Sequence, residues 1–293
     1  PQIQGPARKR PGTRFVAEVK DSADATRLLP FEYSTSQAYA LEFGDLYVRF
    51  YLDGGVVESS PGTPYEIVSP YTSAQVGELE YAQSADVIYI THPEHPPHKL
   101  ARVSALSWTL TPVTFAWPPF NDENTGVITL TASAVTGNIT LTASAALFVA
   151  GDVGSYFKIS EVSASKFNQW TPGVAHTAGN IVYYLGNIYE AANSATAGTR
   201  PPIHTTGTES DGVVDWLFLH DGAGYAQVSG FTSTTVVDAT VVKRLPTTSA
   251  TTRWSEGAWS DRRGHPHAVT FYEDRLWFAG STSRPQTLWA SVS

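Results

Sequence analysis

The residues 91–99, THPEHPPHK, place His92, His95 and His98 at three-residue spacing with Glu94 among them. Imidazoles and a carboxylate together form a donor set for a first-row transition metal. Pro93, Pro96 and Pro97 make the stretch an extended turn in which the rings need not converge, and no partner groups that would orient them are evident. A structural turn is the weightier reading. His265 and His267, in HPH, meet the same objection. Asp261, Glu273 and Asp274 suggest glycoside hydrolysis by paired carboxylates, which requires two opposed groups. Glu273 and Asp274 are adjacent, between TFY and RLWF, where a tight hairpin turn is the better account. No GxSxG elbow presents a serine, and no GxxxxGK[ST] loop offers a phosphate cradle. The chain has no cysteine, which excludes disulfides, thiolate zinc sites and cysteine nucleophiles. The expectation is a protein that is not an enzyme and has no catalytic residues, no metal and no cofactor.

The elements that would position any site read as strands. Residues 86–102 (DVIYITHPEHPPHKLAR) and 275–291 (RLWFAGSTSRPQTLWAS) form a matched pair, each running strand, turn, strand, as hairpins of propeller blades and sandwiches do. They are expected to belong to one scaffold, interrupted by an insertion. Earlier segments alternate at 14–20, 28–33, 38–43 and 46–52, with Gly44-Asp45 and Asp53-Gly54-Gly55 supplying turns. Residues 73–80 are expected to make one short helix. The fold class is therefore all-β: a propeller-like or meander scaffold with nested small β-domain insertions.

From residue 124 the composition shifts to Thr, Ala, Ser and Val, and ITLTASA at 128–134 recurs at 139–145, which predicts a hairpin with Gly137 in its turn. This pattern is interrupted and resumes at 225–245, so one small β domain is split by a second insert. That insert, 167–220, has strands IVYYL and NIYEA around Leu185-Gly186-Asn187, flanked by Trp170 and Trp216. The predicted division is a scaffold over 1–120, a split Thr/Ala-rich domain over 121–165 and 223–246, the insert over 166–222, and a return to scaffold over 247–293.

At 293 residues, 42% hydrophobic and 12% aromatic, the chain has enough apolar surface for real cores. No apolar run is long enough for a spanning helix, and the polar, basic start does not resemble a signal peptide. The chain contains no Met and stops just after a strand-like segment, so it reads as a piece of a longer protein. With 27 acidic against 19 basic residues the formal charge is -8, the wrong sign for gripping phosphate backbones. A surface past which DNA slides is compatible with that charge.

The insert resembles the small chitin- and cellulose-binding modules of the family five and twelve type. That resemblance maps Trp170, Tyr184, Tyr189 and Trp216 onto aromatics that stack on sugar rings, although AANSATAGT follows where those modules carry further aromatics. Core packing is the weightier reading over sugar contact at each of the four, since large aromatics are more often packed than exposed. The Thr/Ala/Ser domain is similar to an accessory fold that follows the first catalytic-cysteine half-domain of ubiquitin-activating enzymes, a likeness of shape without the chemistry. RPGTRFVAEV at 10–19, LLPFEYSTSQAYALEFGDLYVRFYLDGG at 28–55, SPYTSAQVGELEYAQSADVIYITHPEHPPHKLAR at 69–102 and HPHAVTFYEDRLWFAGSTSRPQTLWAS at 265–291 together resemble the tail tubular protein B, or nozzle, family of short-tailed bacteriophages and prophages.

The nozzle resemblance implies a virion tail protein: a homo-oligomer, six copies in a ring below the tail adaptor protein. Viral DNA would leave through the central channel without sequence-specific binding, and tail fibres or spikes would attach outside. Two alternatives stay open. One is a tail module that recognises host surface glycans through the insert. The other is part of a glycan-degrading tail enzyme.

Overall fold

Alternation of apolar and polar residues produces strands that each bury one face, and the computed structural model, which describes residues 12–34, 37–161 and 167–292, is built almost entirely from them. Among the described residues the helical turns are two three-residue 3₁₀ pieces, Val76–Glu78 and Ala150–Asp152. The chain divides into two compact units, one of Pro1–Thr114 and His265–Ser293, the other of Phe115–Gly264.

The first unit holds three antiparallel sheets of three or more strands and a two-stranded one, Glu58–Ser60 with Thr63–Pro64. An N-terminal sheet runs Arg27–Glu32, Ala38–Gly44, Tyr47–Leu52, with Gly55–Val56 and Glu66–Val68 both pairing with the third strand. A first meander follows in the order Glu80–Ser84, Val87–His92, His95–Ser104, Ser107–Pro112. A second meander is Ala268–Tyr272, Arg275–Ser281, Arg284–Ala290. The core brings Leu29, Phe31, Leu41, Phe43, Val48 and Phe50 of the N-terminal sheet together with Ile88, Ile90 and Leu100 of the first meander. Each such side chain contributes about 1.5–3 kcal/mol on burial. Trp108 packs among Phe50, Phe31 and Tyr39 at ring distances of 4.5, 4.8 and 5.3 Å. The opposite face of the first meander receives the second: Tyr89 meets Phe271 edge to face at 5.7 Å, and Thr91 Oγ1 donates to the His267 carbonyl at 3.1 Å.

Two elements differ from expectation. Residues 14–20 form no strand; Phe15 is 76% exposed, and the segment is held instead by side chains such as Lys20, whose Nζ bonds Glu66 at 2.7 Å. Alternation specifies a strand only where a neighbour offers a ladder. The helix expected over 73–80 shrinks to one 3₁₀ turn, because Gly77 sits within it, no side chain caps it, and Leu79 is already extended. The hairpin at Glu273-Asp274 is tight as expected, with φ of 49° and 57° at consecutive residues. Two left-handed residues in succession match the twist of flanking strands, and the Asp side chain tolerates that region.

The second unit has a six-stranded antiparallel sheet, ordered Leu130–Ala132, Asn138–Ala143, Val236–Lys243, Ala223–Ser233, Tyr156–Ser160, Trp254–Glu256. The chain leaves this sheet after Ser160 and returns at Ala223. Leu130, Leu141, Phe148, Phe157, Val228, Val237 and Trp254 form its core. In the excursion a second sheet runs Asn168–Gln169, Ile181–Tyr184, Asn187–Ala191, Asp215–His220, Thr208–Ser210 around a separate small core.

Candidate functional site

The small core of the excursion is organised by one carboxylate. Asp211 Oδ1 accepts from the backbone N–H of Val213 at 3.0 Å and Val214 at 2.8 Å. Its Oδ2 accepts from Gly198 N and Trp216 Nε1, both at 2.9 Å. Burial opposes the charge, but the hydrogen bonds from Trp216, Val214, Val213 and Gly198 outweigh it and hold the pKa below the ordinary carboxylate value. The bonded Trp216 is fully buried, with the His176 ring edge-on at 5.0 Å. Tyr189 is fully buried too, and its hydroxyl donates to the His204 carbonyl at 2.7 Å. Trp170 is 5% exposed and meets Tyr184 edge to face at 5.6 Å.

A sugar ring stacks on an aromatic plane only where that plane is open. Trp170, Tyr189 and Trp216 present no open plane and pack in the small core, in line with the core reading weighed against sugar contact for them, while Tyr184 is half-buried. Short loops leave few other apolar groups to close this core, and the large rings fill it. The structure does not assemble the four residues into a platform.

The histidines behave differently from expectation. A register shift between His95 and His98 turns both toward the side where His92 ends its strand. The rings of His95, His98 and His92 gather round buried Tyr71 at 5.2, 5.8 and 6.2 Å. Their nitrogens are directed elsewhere. His92 Nδ1 accepts from Glu94 N at 3.1 Å, His98 Nδ1 lies 2.6 Å from the Pro96 carbonyl, and His95 Nε2 lies 3.0 Å from Gln75 Oε1. Burial and then the neighbouring His95 lower the His92 pKa, opposed by Glu78 and Glu94; burial is likewise the main cause of the lowering at His98. Among the described residues no group of three or more His, Asp or Glu side chains is arranged to hold a metal. His265 donates its backbone N–H to the Pro93 carbonyl at 2.8 Å, and His267 is exposed.

The carboxylates singled out from the sequence do not form an opposed pair: Glu273 and Asp274 occupy a hairpin turn, and Asp261 belongs to the other unit. Buried carboxylates lie elsewhere. Glu42, fully buried, accepts from the hydroxyls of Tyr47 and Tyr51, whose pKa values are raised by their own burial and then by Glu42. Glu256 is clamped by Arg263 at 3.0 and 2.6 Å. Asp152, fully buried, accepts from Val149 N at 2.8 Å and lies 3.4 Å from Arg262 Nη1, with its pKa raised chiefly by burial. The sequence signal for Glu42 was the Tyr47, Arg49, Tyr51 alternation opposite it; nothing marked Asp152. Each arrangement satisfies or neutralises a buried group, and none sets a nucleophile beside a base.

A scan against protein-family models finds no matching family, and no curated protein matches the chain.

Proposed function

We propose that this chain is a structural protein of a short phage tail, forming a ring-shaped nozzle that extends the DNA ejection channel and offers attachment surface to fibres or spikes. One observation carries the reading: the separated stretches that resemble the nozzle family, within 1–114 and 265–293, pack as one compact all-β unit around a common set of meanders. A negative formal charge of -8 favours passage of DNA over retention. Among the described residues, the carboxylates singled out above lie in hairpin turns and hydrogen-bonded networks, which fits a structural reading better than a catalytic one. Glycan recognition by the excursion is the weaker alternative, since Trp170, Tyr189 and Trp216 are committed to a core. Cyclic assembly, with the tail adaptor above and six copies in the ring, would locate function in repeated interfaces.

The test is antibody labelling of this chain on purified virions, viewed by electron microscopy, combined with chemical cross-linking. The expected result is label at the distal end of a short tail and a cross-linked ladder ending at a closed ring. Label confined to fibres, or strictly monomeric chain in intact tails, would overturn the proposal.

A further inference from the structure

Five of the chain's eight histidines, His92, His95, His98, His265 and His267, lie in the first unit, at the seam between its two meanders. His92, His98 and His265 are buried. The His92 and His95 rings stand 5.3 Å apart; charge on His95 and His267 opposes charge on His92, and charge on His95 and His265 opposes it on His98. Set against these imidazoles are two exposed carboxylates. Glu78 Oε2 lies 3.7 Å from His92 Nε2, and Glu94 Oε2 accepts from Gln75 Nε2 at 2.6 Å. Glu80, opposite Thr91, and Lys99, opposite Tyr89, are exposed and of opposite sign. Tyr71, among the rings, is held neutral by burial.

Two hydrogen bonds fasten the second meander to the first: His265 N–H to the Pro93 carbonyl at 2.8 Å, and Thr91 Oγ1 to the His267 carbonyl at 3.1 Å. Every residue in these ties carries or adjoins an imidazole of the cluster. The core beneath the first meander contains no residue of the second, and Phe271, which meets Tyr89 at the seam, is 37% exposed. The seam is the thinner of the two interfaces that the first meander makes.

His92 links protonation to these ties. Its Nδ1 accepts the Glu94 N–H at 3.1 Å, so the neutral ring carries its proton on Nε2. A second proton can enter only at Nδ1, where it turns the acceptor into a donor facing the Glu94 N–H. The same turn supplies the Pro93 carbonyl that holds His265. Burial favours the neutral form of His92 and His98, and what a neutral imidazole contributes is lost as pH falls through its folded value.

We propose that the five imidazoles form an acid-operated joint: protons taken from solvent at His92 Nδ1 and at its neighbours free the second meander from the first, while the N-terminal sheet and the first meander stay folded. The joint does not depend on the phage-tail reading.

The test is NMR-detected hydrogen exchange of the full chain at about pH 7.5 and about pH 5, corrected for intrinsic exchange, with the imidazole C2–H signals followed over the same range. Each imidazole that is protonated on release and neutral when docked contributes up to about ten-fold per pH unit. Protection of the His265 amide is expected to fall at least about ten-fold, and at about pH 5 to lie at least about 100-fold below that of Tyr47–Leu52. In the double variant His95→Gln and His267→Gln, which removes charges opposing His92 and keeps its bond to Glu94 N, the fall should shrink to about three-fold or less. Unchanged protection at His265 overturns the proposal, as does protection there equal to that of Tyr47–Leu52, which would mean one global transition. A fall outside the range in which the imidazoles titrate, or one that the double variant leaves undiminished, overturns it too.

Discussion

Replacing Asp211 by alanine removes the acceptor for four donors at once. Two of those donors, the Trp216 indole N–H and the Val214 backbone N–H, belong to fully buried residues and have no route to water. Leaving a buried donor unmatched costs about 1–3 kcal/mol, so these two alone predict a loss of about 2–6 kcal/mol. Gly198 and Val213 lie nearer the surface, where water replaces the carboxylate at little cost. Against a typical domain stability of about 5–15 kcal/mol, the excursion should unfold well before the sheets outside it. Asp211→Asn should be intermediate, since the amide offers one oxygen and turns its NH₂ toward the other pair of donors. Hydrogen exchange at Asn187–Ala191 and Asp215–His220 reads the effect locally, with the strands of the first unit as internal reference. Acid gives a second readout. The folded carboxylate has a lowered pKa, so its contribution is whole above the unfolded value near ~3.9 and is lost as pH falls through the folded value. The alanine variant should lack that part of the acid transition. A loss below about 0.5 kcal/mol, or unchanged exchange in those strands, would refute the assignment of Asp211 as the organiser of this core.

Tyr71 carries a buried hydroxyl with no hydrogen bond among the described residues, so Tyr71→Phe should leave urea stability unchanged or raise it by up to about 1–3 kcal/mol; a clear loss would mean the hydroxyl has a partner. His92 and His98 have lowered pKa values and are more readily protonated when unfolded. Their contribution is therefore present above the ordinary imidazole value near ~6.5 and is lost as pH falls through the folded values, despite opposition from Glu78 and Glu94 at His92. Urea midpoints measured from pH 8 down to 5 should fall, and the double change His92→Gln and His98→Gln should flatten the slope; a midpoint that rises with acid contradicts this. At Gly224 an added Cβ would lie 2.0 Å from the Arg244 carbonyl oxygen, a backbone atom that cannot swing aside. Gly224→Ala should cost about 1–3 kcal/mol in a thermal melt, and a neutral result would mean that the strand end moves freely.

Strands were legible wherever a two-residue period met a turn residue, as at Ala38–Gly44, Asn187–Ala191 and Arg275–Ser281. The all-β class followed from that local signal. Residues 14–20 show its limit, because alternation says nothing about whether a partner strand is present. Register is non-local as well. The shift between His95 and His98 sets three imidazoles around Tyr71, and proline content alone argued for divergence. Aromatic residues were ambiguous in another way. Trp170 and Trp216 were visible as large rings near a small core, yet whether a ring closes that core or faces solvent depends on Asp211 and the turns that hold it.

The point at which Phe115–Gly264 interrupts the first unit can be argued from two hydrogen bonds. Where the chain leaves, Val113 N donates to the Pro97 carbonyl at 2.8 Å; where it returns, His265 N donates to the Pro93 carbonyl, also at 2.8 Å. Exit and return are thus both tied to the proline turn of the first meander. The two acceptors are four positions apart, a separation that spans at most about 14 Å in extended chain. A linker of about six to ten Gly/Ser residues can bridge that gap without tension. Insertions are tolerated where the ends of the interrupted chain lie close, and the same geometry makes removal tolerable. Joining Thr114 to His265 through such a linker should give a protein with an antiparallel β signature in circular dichroism and a single cooperative melt. The Tyr89–Phe271 contact should persist, so replacing Phe271 by Ala in the shortened protein should cost about 3–5 kcal/mol if the ring is fully enclosed there and less in proportion to its 37% exposure. A shortened chain that gives no cooperative transition would show that the first unit depends on the segment that interrupts it, and the two proline-turn hydrogen bonds would then be a consequence of the fold and not its anchor.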